Sequence, residues 1–417
     1  MSLIYREVLP NGIRVVIEEI PTVRSVSLGI WVGTGSRDEN PQNNGVTHFI
    51  EHMMFKGTDK LNARQIAELF DGIGGQVNAF TSKEYTCYYA KVLDEHFGLA
   101  LETLSDMLLH SKFAEEELVK ERRVVIEEIK MYEDAPDELV HDLIAEVIYP
   151  THPLGYNILG TEENLNAFTS QDLFRYMADQ YTTDNIVLAI AGNVKRDEVL
   201  ARAGELFGGI KQSRRVHTLE QASFTAGQAI RHKATEQTHI VLGMPGFQYD
   251  HPMIYPCILF NNILGGTSSS RLFQEVREER GLAYSIYSYH TAYKDNGVFG
   301  LYCGTAPERA QSVLDLVGGI FDNIVQQGVS QQELTKAKEQ VKGSLMLSME
   351  STSSRMSRLG KNELLGRHNT LDELVAKVQT VTLDQVHEAA KLMLGGNQLA
   401  MAAVGPNETL QAPQQSY

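Results

Sequence analysis

Residues 46–58 read VTHFIEHMMFKGT. His48 and His52 stand four apart, so on a helix both imidazoles leave one face, about one turn from each other. Two neutral imidazoles so placed can share one zinc ion. Glu51 falls beside such an ion rather than on it. There its carboxylate is placed to take a proton from a metal-bound water, whose pKa the ion lowers toward ~7. The constellation is therefore a candidate hydrolytic centre with His48 and His52 as ligands and Glu51 as general base. Histidine pairs at this spacing also occur by chance on ordinary helices, but the ordered pattern His-x-x-Glu-His is rarer and is the inverted zinc-peptidase motif.

A zinc ion that keeps one position open for water needs a third protein ligand. The segment EEELVKERRVVIEEIKMYE, residues 115–133, carries apolar residues at helical spacing, with Leu118, Val125, Ile129 and Tyr132 forming a stripe. At about 100° per residue, Glu121 and Glu128 flank that stripe while Glu127 points the other way. Helical phase thus leaves Glu121 and Glu128 both open as the third ligand and turns Glu127 to solvent. The plain alternative for each is an exposed helix glutamate in an ion pair with Lys or Arg.

The elements that must hold these residues come in two sets. Residues 106–121, DMLLHSKFAEEELVKE, match 322–337, DNIVQQGVSQQELTKA, at an offset of 216. Residues 168–194 match 381–407 at an offset of 213. Two matches in the same order and at nearly the same offset indicate a duplicated domain. At these offsets Glu121 aligns with Ala337 and Glu128 with Ser344, and the counterpart of the histidine stretch, near FNNILGGTSSS (260–270), has no histidine. One half keeps the ligands and the other has lost them.

IRVVIEEI (13–20), SVSLGIWVG (25–33), EYTCYYAKV (84–92) and IVLAIAG (186–192) are rich in β-branched and aromatic residues and read as strands. Segments 62–71, 95–110 and 115–133 read as helices. The intermixture predicts an α+β fold: two homologous α/β repeat domains, each a mostly antiparallel sheet with helices covering one face. The polar, glycine-containing stretch 208–228 marks the join. The expected division is a zinc-binding N-terminal domain over 1–210, a linker over 211–228 and an inactive homologous domain over 229–417.

With 417 residues the chain exceeds the size at which one core stops growing. A net charge of −16 disfavours nucleic acid, whose phosphates need Lys and Arg. No apolar run approaches the ~18 residues of a membrane-spanning helix, and no basic stretch followed by an apolar core opens the chain. Three widely spaced cysteines, Cys87, Cys257 and Cys303, argue against a disulfide framework and for a reducing compartment. A soluble, cytoplasmic protein without membrane insertion is expected.

At the histidine pentad and the paired glutamates the chain resembles the pitrilysin-type inverted-motif zinc peptidases, the M16 family. Within it the likeness is strongest to the processing peptidases, across essentially the whole length. The resemblance implies one zinc ion per chain, with Glu128 as third ligand and Glu121 in a supporting acidic role. It further implies that Arg277 and Tyr284, seven apart in VREERGLAY, assist catalysis as donors to substrate and oxyanion. An ordinary ion pair of Arg277 with Glu278 or Glu275 is the alternative. Asn78 and Ala79, in GGQVNAFTSKEYT, match an edge strand that pairs with peptide substrates. Phe55 matches an aromatic pocket position, and Glu138 and Asp142 match acids that hold an arginine before the scissile bond. The activity implied is a zinc metalloendopeptidase acting on extended or unfolded peptides, as a homodimer by analogy. The rival reading is a non-catalytic core or partner subunit of the same family, which typically lacks the ligands retained here. A small-molecule zinc enzyme with a cysteine ligand, as in S-ribosylhomocysteinase, would need Cys87 and a short unduplicated chain.

Overall fold

The structure is a computed structural model that describes residues 3–215, 219–396 and 398–413; residues 216–218 of the expected linker lie outside it. It divides into two compact units. One comprises Met1–Ile129, Tyr156–Leu219 and Leu347–His368, and the other Lys130–Gly155, Glu220–Met346 and Asn369–Tyr417.

The first unit is built on strands β1 (Leu3–Val8), β2 (Arg14–Glu19), β3 (Ser25–Val32), β4 (Gln76–Thr81), β5 (Thr86–Leu93) and β6 (Ile186–Gly192). They form one sheet in the order β1-β2-β6-β3-β5-β4. Only β2 and β6 run parallel; the other neighbours are antiparallel. β4 is an edge strand, and β3 and β6 lie at the centre.

The second unit has β7 (Gly227–His232), β8 (Thr238–Pro245), β9 (Ala283–Ala292), β10 (Gly297–Thr305) and β11 (Ala400–Gly405), ordered β7-β11-β8-β10-β9. Here β7 and β11 are parallel and the rest antiparallel. Strand for strand this repeats β2-β6-β3-β5-β4, with the parallel pair in the same place. The helices repeat as well. Glu115–Asp134 and Gln331–Ser348 start 216 residues apart, and the capping boxes at Thr169 and Thr382 stand 213 apart. The duplicated α+β architecture is a property of the fold.

The strands explain the layering. β3 and β6 are buried along nearly their whole length, as continuous apolar runs are when both faces are covered. On one face of the first sheet Val26, Leu28 and Ile30 enter the main core with Phe49, Leu104 and Leu118. On the other face Trp31, Val16, Cys87, Val187 and Ala189 meet Met356 and Leu359 of the helix Thr352–Leu364. The second sheet has the matching arrangement. Its main core gathers helices Ile254–Leu264, Ala310–Gln327 and Leu383–Leu394, while helix Pro136–Ile148 packs Val140, Leu143 and Ile144 on Val241, Ala402 and Val404. Helices thus cover both faces, not the one face expected from sequence. Each sheet's second layer comes from the other half of the chain. Small residues (Gly29, Ala189 and Ala191 in one sheet, Gly243 and Ala402 in the other) leave room for it.

Cys87, Cys257 and Cys303 are all buried free thiols. Among the described residues no helix is long and apolar enough to cross a membrane.

Candidate metal centre

His48 and His52 sit on a short helix, Val46–Met53, the histidine helix. Two turns of helix are marginal in isolation, so the surroundings must hold it. Its N-cap is Gly45 at φ 95, a left-handed conformation open to glycine, and a Cβ there would lie 2.7 Å from Gly160 Cα. The N–H groups without an intrahelical partner find a buried carboxylate. Glu39 accepts from Gly45 N at 2.8 Å, Thr47 N at 2.9 Å and Asn44 Nδ2 at 2.9 Å. Negative charge at a helix N-terminus is favoured by the dipole and the unpaired donors together. Burial outweighs those donors and pushes the Glu39 carboxyl up to about 7.

The loop carrying Glu39 is bolted to the hairpin between β4 and β5. Ser36 N and Arg37 N donate to Ser82 O and Lys83 O, and the Arg37 guanidinium meets Glu84 at 2.7 Å with both side chains 2% exposed. One loop therefore ties the histidine helix to the end of β4.

The third element is helix Glu115–Asp134, the glutamate helix, where Leu118, Glu121 and Val125 are buried, Glu128, Ile129 and Tyr132 half-buried, and Glu127 exposed. His48 Nε2 lies 3.9 Å and His52 Nε2 3.5 Å from Glu128 Oε2. One ligand atom from each of the three residues lies within 4.8 Å of the others. Ligands ~2.0–2.1 Å from a tetrahedral zinc ion stand ~3.4 Å from one another, so these separations suit a shared ion better than direct hydrogen bonds. Burial, and then neighbouring His52, lower the pKa of His48 to about 3, so its imidazole is neutral and has a lone pair to offer. The donor set of two imidazoles and one carboxylate suits zinc.

Glu121 does not share the Glu128 position. Its Oε1 lies 2.8 Å from His52 Nδ1, and its Oε2 2.6 Å from Lys56 Nζ. Burial opposes ionisation of Glu121, but the bonds from His52 and Lys56 outweigh it and hold the carboxyl below its ordinary range. Helical phase had left Glu121 and Glu128 equivalent. The geometry separates them: Glu128 faces both Nε2 atoms, and Glu121 backs His52.

Glu51 is turned toward β4, where Thr81 Oγ1 donates to its Oε2 at 2.5 Å. Burial raises its carboxyl against that bond. Asn78 is exposed on β4 and accepts from Ala79 N at 2.8 Å, while Ala79 is buried. Phe55 packs against the main core just past the histidine helix. These residues share the first unit with the histidines.

Arg277, Tyr284, Glu138 and Asp142 belong to the second unit. The Arg277 guanidinium lies 4.6 Å over the rings of both Tyr284 and Phe273, within a π-helical turn, Phe273–Glu278. Its Nε also lies 3.5 Å from Glu278, an exposed pairing of the weak kind. Tyr284 is 76% exposed. Glu138 is exposed and Asp142 half-buried on helix Pro136–Ile148. Cys87 lies in the Trp31 cluster and is absent from the ligand group.

Sequence reasoning did not single out Glu39, Lys56 or Thr81. Lys56 had a signal of sorts, four residues past His52, but lysines at such spacing are commonplace. Glu39 and Thr81 had none, since loop geometry and strand register place them.

The sequence profile for "Insulinase (Peptidase family M16)" matches residues 14–162, and that for "Peptidase M16 inactive domain" matches 167–341. The uncharacterized zinc protease YmxG of Bacillus subtilis is 51% identical, covering 97% of this chain and 99% of that one. An uncharacterized zinc protease of Streptomyces coelicolor is 40% identical over 99% and 92%. Among solved structures, a peptidase M16 inactive domain from Pseudomonas fluorescens superposes with a TM-score of 0.91 at 23% identity, covering 98% of this chain and 99% of that one. A protease from Helicobacter pylori does so at 0.90 and 21%, over 97% and 100%. The two structures bear on the fold alone.

Proposed function

The chain belongs to peptidase family M16, and from that premise we propose that it is a zinc metalloendopeptidase acting on extended or unfolded peptides. The observation that carries the reading is the convergence of His48, His52 and Glu128 within 4.8 Å, with Glu51 held alongside by Thr81. Near-full-length relatives named as zinc proteases support it.

His48, His52 and Glu128 would hold the ion. When bound, zinc supplies Lewis acidity, polarising a peptide carbonyl and making a neighbouring water acidic. Glu51, with Oε2 engaged by Thr81, keeps Oε1 to take the proton from the attacking water and deliver it to the leaving amine. Glu121 orients His52 from behind. β4, an edge strand with Asn78 and Ala79, offers main-chain groups to an extended peptide, and Phe55 an apolar contact. Arg277 and Tyr284 are proposed as donors to the substrate carbonyl, and Glu138 and Asp142 as contacts for a basic side chain. Zinc stoichiometry of one, a homodimer and a cytoplasmic location complete the proposal. The repeats over 1–210 and 229–417 are its evolutionary units, joined over 211–228.

The test is cleavage of a panel of unstructured peptides by wild type and Glu51→Gln, with zinc content measured for both. The variant is expected to keep its zinc and lose ~10²–10⁴-fold in turnover. Equal turnover would remove Glu51 as base. A wild type with neither zinc nor cleavage would move the protein to the assembly-subunit role.

A further inference from the structure

Glu121 is a carboxylate that is 5% exposed and has two calls on it. One oxygen faces His52 Nδ1 at 2.8 Å and the other Lys56 Nζ at 2.6 Å. The far nitrogen of His52, Nε2, faces Glu128 at 3.5 Å. Lys56, Glu121, His52 and the ligand cluster thus form one unbroken chain. The turn that closes the histidine helix, with Lys56 N bonded to Met53 O, brings the lysine back toward the glutamate helix. Both oxygens of Glu121 are engaged, which fixes the plane of its carboxylate and, through it, the plane of the His52 ring. His48 has no such brace: its Nδ1 is buried without a hydrogen-bond partner among the described residues.

We propose that Lys56 is a positioning residue for the metal centre, its ammonium locking Glu121 so that Glu121 aims His52 Nε2 at the ion. The inference rests on the metal-centre reading above. It differs from an ordinary surface ion pair because the acid is buried and the lysine side chain only 28% exposed. Without Lys56, Glu121 Oε2 is a buried carboxylate oxygen lacking its cation. The side chain then gains freedom to turn, and the His52 ring turns with it. A cation near the site also repels a divalent ion. Ordering outweighs that repulsion, and the sign of the change in zinc affinity decides between the two.

The experiment measures zinc affinity of the full-length, metal-freed protein by competition with a chromophoric zinc chelator. It compares wild type with Lys56→Met, Lys56→Gln and Lys56→Arg, alongside thermal unfolding of each metal-free form. The Met and Gln variants are expected to bind zinc ~10–100-fold more weakly, the usual cost of losing a group that orients a ligand. Lys56→Arg should stay close to wild type, because a guanidinium can bridge to the same oxygen. Unchanged or tighter binding in the neutral variants overturns the proposal, as does an Arg variant as weak as the Met variant. A loss of metal-free stability with wild-type zinc affinity would make Lys56 merely structural and overturn it equally. Wild type that takes up no zinc fails at the earlier step and overturns the metal-centre reading itself.

Discussion

Thr81 Oγ1 donates to Glu51 Oε2 across 2.5 Å, from the last residue of the edge strand β4 to the last turn of the histidine helix. The same strand end belongs to the hairpin that binds the Glu39 loop through Arg37 and Glu84. Strand, Glu51 and helix N-terminus are therefore fixed to one another before any peptide arrives. In a proposed peptidase this pre-arrangement matters, since a base must already face the water it deprotonates.

Thr81→Val keeps the branched shape and removes the hydroxyl. With a hydrogen bond to a charged group worth roughly 1.5–3 kcal/mol, turnover should fall ~10–100-fold while zinc content is retained. Thr81→Ser should restore most of it. Steady-state kinetics on an unstructured peptide decide the matter, and a valine variant with wild-type kcat would show that Glu51 is aimed by packing alone.

Glu39 gives a prediction with a pH signature. Its carboxyl stands at about 7 when folded, above the ordinary glutamate range near 4.5. Between those values the folded protein holds more proton at this site than the unfolded chain. Stability from Glu39 therefore falls as pH rises from about 4.5 through about 7. Glu39→Gln removes the titration and places an amide against N–H donors, so it should be less stable than wild type at pH 5, with the gap narrowing by pH 8. Denaturant titrations of the metal-free proteins at several pH values measure it. A gap that widens with pH would mean that the donors at the helix N-terminus prevail over burial.

Much of the candidate site's geometry was legible because helices carry phase information. His48, His52, Glu121 and Glu128 lie on two helices, and a 3.6-residue period predicts which side chains share a face without knowledge of the fold. Offsets of 216 and 213 anticipated the repeated sheet, down to the aligned capping threonines Thr169 and Thr382. Period says nothing about partners between elements. Helix 136–148 and helix 352–364 are each amphipathic, and nothing in their patterns tells which sheet their apolar stripes meet. The two exchanges were invisible for that reason, as were Lys56, Glu39 and Thr81. Each of those is a commonplace residue that acquires a role only when two distant segments meet.

Removal of the metal should expose the same architecture in stability. Zinc at ~1,000 times its Kd adds ~4 kcal/mol to a fold that binds it only when folded. Chelation is expected to lower the thermal midpoint of wild type, and re-addition of zinc to restore it. His52→Ala and Glu128→Gln should begin near the chelated value and respond little to zinc. Differential scanning calorimetry reads the effect. A His52→Ala protein that gains as much from zinc as wild type does would place the ion elsewhere.

Gly360 offers a test of the helix that covers the back of the first sheet. It lies within helix Thr352–Leu364, where alanine ordinarily improves on glycine by about 1 kcal/mol. Propensity alone thus predicts that Gly360→Ala stabilises the protein. Packing predicts the reverse. A Cβ there would lie 2.2 Å from Trp31 Nε1 and 2.4 Å from Cδ1, and the indole is 2% exposed and already hydrogen-bonded to Met356 Sδ at 3.3 Å. An indole so enclosed has nowhere to retreat, and overpacking of this kind costs roughly 1–3 kcal/mol. Gly360→Ala is therefore expected to destabilise the protein by up to about 2 kcal/mol net. The emission of Trp31, the single tryptophan of the chain, should shift as its contact with the helix changes. Zinc content should stay at the wild-type level, because Trp31 belongs to the cluster on the sheet face opposite the main core that holds the histidine helix. Denaturant unfolding followed by tryptophan fluorescence measures both effects at once, and a variant at least as stable as wild type would show that the helix can lift from the indole at little cost.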